Sequence, residues 1–121
     1  MGKKNQKKNP LLINLIHELK KQSQEKDKTI WKDIALRLEK PIRNWPEVNL
    51  DRINKYTGDK ETALIPGKVL SDGNLTKKLT IAAYSFSKKS EEKIKQAGGK
   101  TLTIQQLMKD NPDGKNIRII G

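Results

Sequence analysis

As far as Glu39 the apolar residues recur at helical spacing, and beyond Pro46 they first fall into short runs cut by turn dipeptides, so the period changes after the opening segment. Asn9-Pro10 supplies an N-cap and a first-turn proline for a helix over about 10–24, with Leu12, Leu15, Ile16 and Leu19 on one face. Thr29 is the expected cap of a second helix over about 29–39. Its stripe is Ile30, Ile34 and Leu38, with Trp31 and Ala35 alongside, and Pro41 stops it. Polar residues 23–28 join the two, which predicts an N-terminal helical pair.

Residues 40–56 read as mostly irregular, with a first short strand at 48–50. Two more strands are expected at 63–65 and 68–70, punctuated by Pro66-Gly67 and Asp72-Gly73. Residues 78–86 are apolar on both alternating faces, which puts them in the centre of a sheet. Ser87 or Ser90 then caps a helix with Glu91 and Glu92 in its first turn and Ile94 and Ala97 on its buried side; Gly98-Gly99 ends it. Leu102 marks another strand, and Thr103 and Gln106 have capping-box spacing for a helix holding Leu107 and Met108. The turn Asn111-Pro112-Asp113-Gly114 leads to a last strand over 116–120. Strands alternating with helices after a helical pair predict an α/β fold in one compact domain over 9–121.

Charge narrows the function. With 26 Lys and Arg against 14 Asp and Glu, the chain carries a formal +12 on 121 residues, more than solubility needs, and a polyanion is the expected partner. The hydrophobic fraction of 33% predicts a thin core. Residues 1–8 hold Lys3, Lys4, Lys7 and Lys8 with no acid and no apolar residue after Met1, so they are expected to form a disordered basic tail. Cysteine is absent, which excludes disulfides and thiolate metal sites and fits the cytoplasm. No apolar run is long enough to span a bilayer, and no signal-peptide h-region follows the charged N-terminus, so no membrane partner is expected.

Catalytic chemistry finds little support, and no enzyme, metal or cofactor is expected. The only histidine, His17, lies on the first helix without a second ligand for zinc. Gly67-Lys68 resembles the tail of a P-loop, yet Thr62 stands where that loop needs glycine and Val69 where it needs a magnesium-binding hydroxyl. Glu91 and Glu92 are adjacent on a helix and point apart, so they serve the helix dipole.

The richest chemistry lies around Trp45. Lys40, Arg43, Trp45, Asn49, Arg52 and Lys55 bring cations, an amide and an indole into one segment with Asn44, Asn54 and Tyr56, a mixture suited to structured RNA. Arginine is scarce here, and Arg43 and Arg52 flank the tryptophan, which makes them the stronger phosphate ligands. The indole itself has two readings, a core plug beside Val48 and Leu50 or a platform for a base.

Ordered motifs carry a resemblance. Asn9-Pro10-Leu11, Pro41-x-Arg43-x-Trp45-x-x-Val48-Asn49-Leu50, Pro66-Gly67-Lys68-Val69-Leu70, Ala82-Ala83 with Phe86-Ser87, Ile94-x-x-Ala97-Gly98-Gly99, and Asn111-Pro112-x-Gly114 closing on Arg118-Ile119-Ile120 occur in that order. The chain resembles the eighteen-e family of large-subunit ribosomal proteins in its shorter archaeal form, from Asn9 to Ile120. The resemblance implies a structural protein of the large ribosomal subunit that binds ribosomal RNA beside other ribosomal proteins in the cytoplasm, with no homo-oligomer. It also implies a fold shared with the fifteenth bacterial-type large-subunit protein, an irregular superhelix of strand-strand-helix turns. On this sequence the basic tail and the segment from Lys40 to Tyr56 would form the main RNA surface, supported by Lys68, Lys77, Lys78, Lys88 and Lys89. A free-standing RNA-binding regulator is the alternative of a different class.

Overall fold

The computed structural model describes residues 9–121; the expected basic tail, with Lys3, Lys4, Lys7 and Lys8, lies outside the described residues. Helix α1 spans Pro10–Lys26, and the Asn9 side chain accepts from the Leu11 amide at 2.9 Å. It runs past residue 24 because its stop is Asp27, in the left-handed region at φ 54°. The Lys28 amide then donates back to the Ser23 carbonyl at 3.1 Å. That tight stop leaves only Asp27 and Lys28 between α1 and helix α2, Thr29–Leu38. Thr29 is therefore the first helical residue and not the cap expected of it; Lys28 occupies the cap position and makes no side-chain cap bond. The two helices pack as a pair, and Lys20 meets Glu39 at 2.6 Å across their surface.

Strand β1 is Glu47–Asn49, and the chain turns at once into helix α3, Leu50–Tyr56. The expected irregular segment thus ends in a helix. Leu50 and Ile53 are both buried, and their three-residue spacing is a helical signal too short to stand out from the neighbouring Val48. Strand β2 spans Thr62–Leu70 without a break, where two strands were expected around Pro66-Gly67. Strand β3 (Thr80–Phe86), helix α4 (Lys88–Gln96), strand β4 (Lys100–Thr103), helix α5 (Ile104–Asp110) and strand β5 (Ile117–Ile119) complete the chain. Ser87 caps α4, and Thr103 with Gln106 forms the expected capping box on α5.

All pairings in the five-stranded sheet are parallel, in the order β1-β2-β3-β4, with β5 also on β2. One edge of β2 pairs β3, with a register shift between Ile65 and Lys68. Its opposite edge is shared: Thr62 to Leu64 pair β5, and Lys68 to Leu70 pair β1. Pro66-Gly67 lies in the interval between those two partners, where a missing N–H costs no ladder bond. The Lys68 amide then donates to the Pro46 carbonyl at 3.0 Å.

Helices cover both faces. Leu64 and Ala82 join α1, α2 and α5 in one cluster around Trp31, whereas Ala63, Ile65, Ile81 and Ala83 join Leu50 and Ile53 of α3 and Ile94 of α4 in the other. Central strands buried on both sides explain the near-continuous apolar run of β3. The result is an α/β layer structure with the N-terminal helical pair on one face of the sheet.

Two stability predictions follow from this packing. A Cβ on Gly67 would overlap the Pro46 carbonyl oxygen on the backbone itself, so Gly67→Ala should cost about 1 to 3 kcal/mol, read as a lower midpoint in urea. Trp31 is fully buried and its indole N–H donates to the Pro112 carbonyl at 2.8 Å. Trp31→Ala should cost about 3 to 5 kcal/mol by the same measurement.

Candidate nucleic-acid interface

After Pro41 the chain makes one 3-10 turn, Ile42–Asn44, and enters the sheet through Trp45 and Pro46. Trp45 is half-buried, and it packs on the opposite side of the sheet from Val48 and Leu50, the core neighbours expected for it. One side packs on the cluster that holds Trp31, its N–H donates to the Lys40 carbonyl at 3.0 Å, and its ring meets Tyr84 edge-to-face with centroids 4.8 Å apart. The rest of the indole lines an open groove of about 620 Å³ together with Arg43, Glu47, Lys68, Tyr84 and Ser85. Arg43 and Lys68 are exposed at this groove, and so is Ile42. Tyr84 and Glu47 were not singled out from the sequence. Tyr84 is hidden there inside an apolar strand run, and only the register, which sets Glu47 opposite Lys68, brings the acid to the groove.

A second group of cations lies where the strands end. Arg52 is in the first turn of α3 after β1, and Lys88 and Lys89 open α4 after β3. The loop after β2 bonds to both helices, to the first turn of α3 and to the last turn of α4. Asp51 donates its amide to the Asp72 carbonyl at 3.1 Å, and Lys93 donates to the carbonyls of Ser71 and Gly73 at 2.8 and 3.1 Å. Lysines in the first turn oppose the helix dipole, so Lys88 and Lys89 do nothing for α4 and are exposed to solvent. Lys55 lies one turn beyond Arg52, its ammonium 5.3 Å from the Tyr56 ring centroid.

Other expected contacts are engaged within the protein. The Asn49 side-chain oxygen accepts from the Asp72 amide at 3.1 Å. Lys77 is half-buried and donates to the Thr57 carbonyl at 2.8 Å, which separates it from its exposed neighbour Lys78. The arginines divide in the same way. Arg37 pairs with Asp33 and also donates to the Gly121 carbonyl. Arg118 pairs with Glu61, whose carboxyl is held below the usual carboxylate range first by the Gly58 amide and then by the Arg118 guanidinium. Arg43 and Arg52 form no ion pair among the described residues. No cluster of metal-ligating side chains occurs among the described residues, and His17 is an exposed residue of α1.

The description "Ribosomal protein 60S L18 and 50S L18e" belongs to the family whose model matches residues 1–121. Three archaeal proteins, each called large ribosomal subunit protein eL18, are similar over nearly their whole length. The one from Methanothermobacter thermautotrophicus is 47% identical over 99% of each chain. That of Methanoregula boonei is 50% identical over 95% of each chain, and that of Halobacterium salinarum is 43% identical over 94% of this chain and 97% of its own. The ordered motifs and this full-length similarity agree: the chain belongs to the family of ribosomal proteins 60S L18 and 50S L18e.

Proposed function

We propose that this chain is a structural constituent of the large ribosomal subunit, in the cytoplasm, and that it binds ribosomal RNA and neighbouring ribosomal proteins there. The observation that carries the reading is membership of a ribosomal protein family across residues 1–121. The RNA surface we assign is the groove of Arg43, Trp45 and Lys68, continued by Lys40 and by Arg52, Lys55, Lys88 and Lys89 at the strand ends. Lys78 and the tail lysines Lys3, Lys4, Lys7 and Lys8 add charge to it. Support comes from the net +12 and from the division among the arginines, since two are held by acids of the protein and two are left to a ligand. Guanidinium groups left open on a surface suit phosphate, which they meet with forked, charge-assisted bonds. Asn49 and Lys77 are better read as internal ties.

In high-salt gradients of a lysate the chain should travel with the large subunit; if it stayed light, a free-standing RNA-binding regulator would be the better reading. On isolated ribosomal RNA fragments, log affinity should fall against log salt with a slope of several units if about six to ten cations meet phosphates. A flat dependence would exclude the basic surface as the contact.

Substitutions should separate binding from folding. Arg43→Ala and Arg52→Ala should keep the thermal midpoint close to that of the unsubstituted chain and weaken RNA binding by about 1 to 3 kcal/mol each in filter or mobility assays. Lys77→Ala should behave in the opposite sense, losing about 1 kcal/mol of stability with RNA affinity nearly unchanged at equal salt.

A further inference from the structure

A carboxylate in a surface meant for phosphate needs an explanation. Glu47 is the acid lining the groove, which it shares with Arg43, Lys68 and the rings of Trp45 and Tyr84. Glu47 and Lys68 face each other in the register of β1 and β2, yet no ion pair joins them among the described residues. Both charges stand exposed and open to a ligand. Towards phosphate alone Glu47 is repulsive, and it would weaken the binding that its cationic neighbours favour. Towards a base it is an acceptor with two oxygens.

We propose that the groove receives one unstacked guanine of an RNA strand, with its Watson–Crick edge on Glu47, its ring against Trp45 and Tyr84, and its flanking phosphates on Arg43 and Lys68. This rests on the reading that the groove faces RNA and adds the base it selects. Among the four bases guanine offers N1–H and N2–H donors side by side on one edge, and that pair matches the two oxygens of a carboxylate. Uracil and cytosine offer one such donor direction and adenine offers only its amino group. Single-stranded RNA presents bases in this way, stacked on aromatic side chains and read along their Watson–Crick edges. Lys68, the register partner of Glu47, supplies the positive charge in the lining that attracts a phosphate.

The test uses the full chain and the pentaribonucleotides UUGUU, UUAUU, UUCUU and UUUUU, with UUIUU carrying inosine, which keeps N1–H and lacks the N2 amino group. Binding is followed by the indole N–H signals, since Trp45 lines the groove and Trp31 is fully buried. The Trp45 signal should move and that of Trp31 should not, and UUGUU should bind roughly tenfold tighter than the A, C and U forms, with UUIUU between. Glu47→Gln should keep the thermal midpoint and erase that preference, because its amide nitrogen meets the second guanine donor with a donor of its own. A carboxylate also accepts from ribose 2′-hydroxyls, which every oligomer carries, so equal affinities in the unsubstituted chain would overturn the guanine assignment while leaving RNA binding at the groove intact. A preference that survives Glu47→Gln would overturn it too. If no oligomer moves the Trp45 signal and Arg43→Ala leaves ribosomal RNA binding unchanged, the groove reading itself fails with it.

Discussion

Strand β2 has to satisfy three neighbours with nine residues. It pairs β3 along one edge and hands its other edge from β5 to β1, while both faces are covered by helices. Backbone groups buried on every side must find partners in the ladder, and the handover is the one place where a residue without an N–H does no harm. Pro66 occupies it. Gly67 follows because the Pro46 carbonyl comes in too close for any side chain, and that carbonyl accepts the Lys68 amide. The segment bearing Arg43 and Trp45 therefore hangs from the middle of β2, and its angle of entry is set by the backbone of Gly67 more than by its own residues.

The same strand organises the second cationic group. Its penultimate carbonyl, at Val69, accepts from the Ser87 amide at 2.9 Å and from the Ser90 hydroxyl at 3.2 Å, which fixes the start of α4. The loop beyond it bonds to the first turn of α3 through Asp51 and to α4 through Lys93. Arg52, Lys88 and Lys89 are thus carried on the first turns of two helices that bond to one loop, and none of the three forms an ion pair among the described residues. The Ser87 cap offsets part of what two first-turn lysines cost α4.

A chain with so many cations and a thin core divides its charges between two uses. Lys20, Arg37 and Arg118 pair with acids, and Lys77 and Lys93 donate to backbone carbonyls, where a charged donor makes a stronger bond than a neutral one. Among the described residues Arg43, Arg52, Lys68, Lys88 and Lys89 form no ion pair, and like charges left on one surface repel one another until counter-charge screens them.

Periodicity determined α1, α2 and β3, and local caps determined α4 and α5, because an apolar stripe or a cap has its partners within a few residues. Ordered motifs and net charge determined the family and the class of partner. Other features depended on contacts between distant segments. Pro66-Gly67 reads locally as a break, and only the arrival of β1 and β5 on one edge makes β2 continuous. Leu50 and Ile53 become a helix face because α3 has Ala63 and Ile65 to pack on. Which cations stay free was likewise a tertiary matter: Lys77 and Lys78 are equivalent in sequence, and the Thr57 carbonyl, 20 residues away, takes one of them. Charge is written in composition, but whether a charge is already spent depends on what the fold brings within bonding distance.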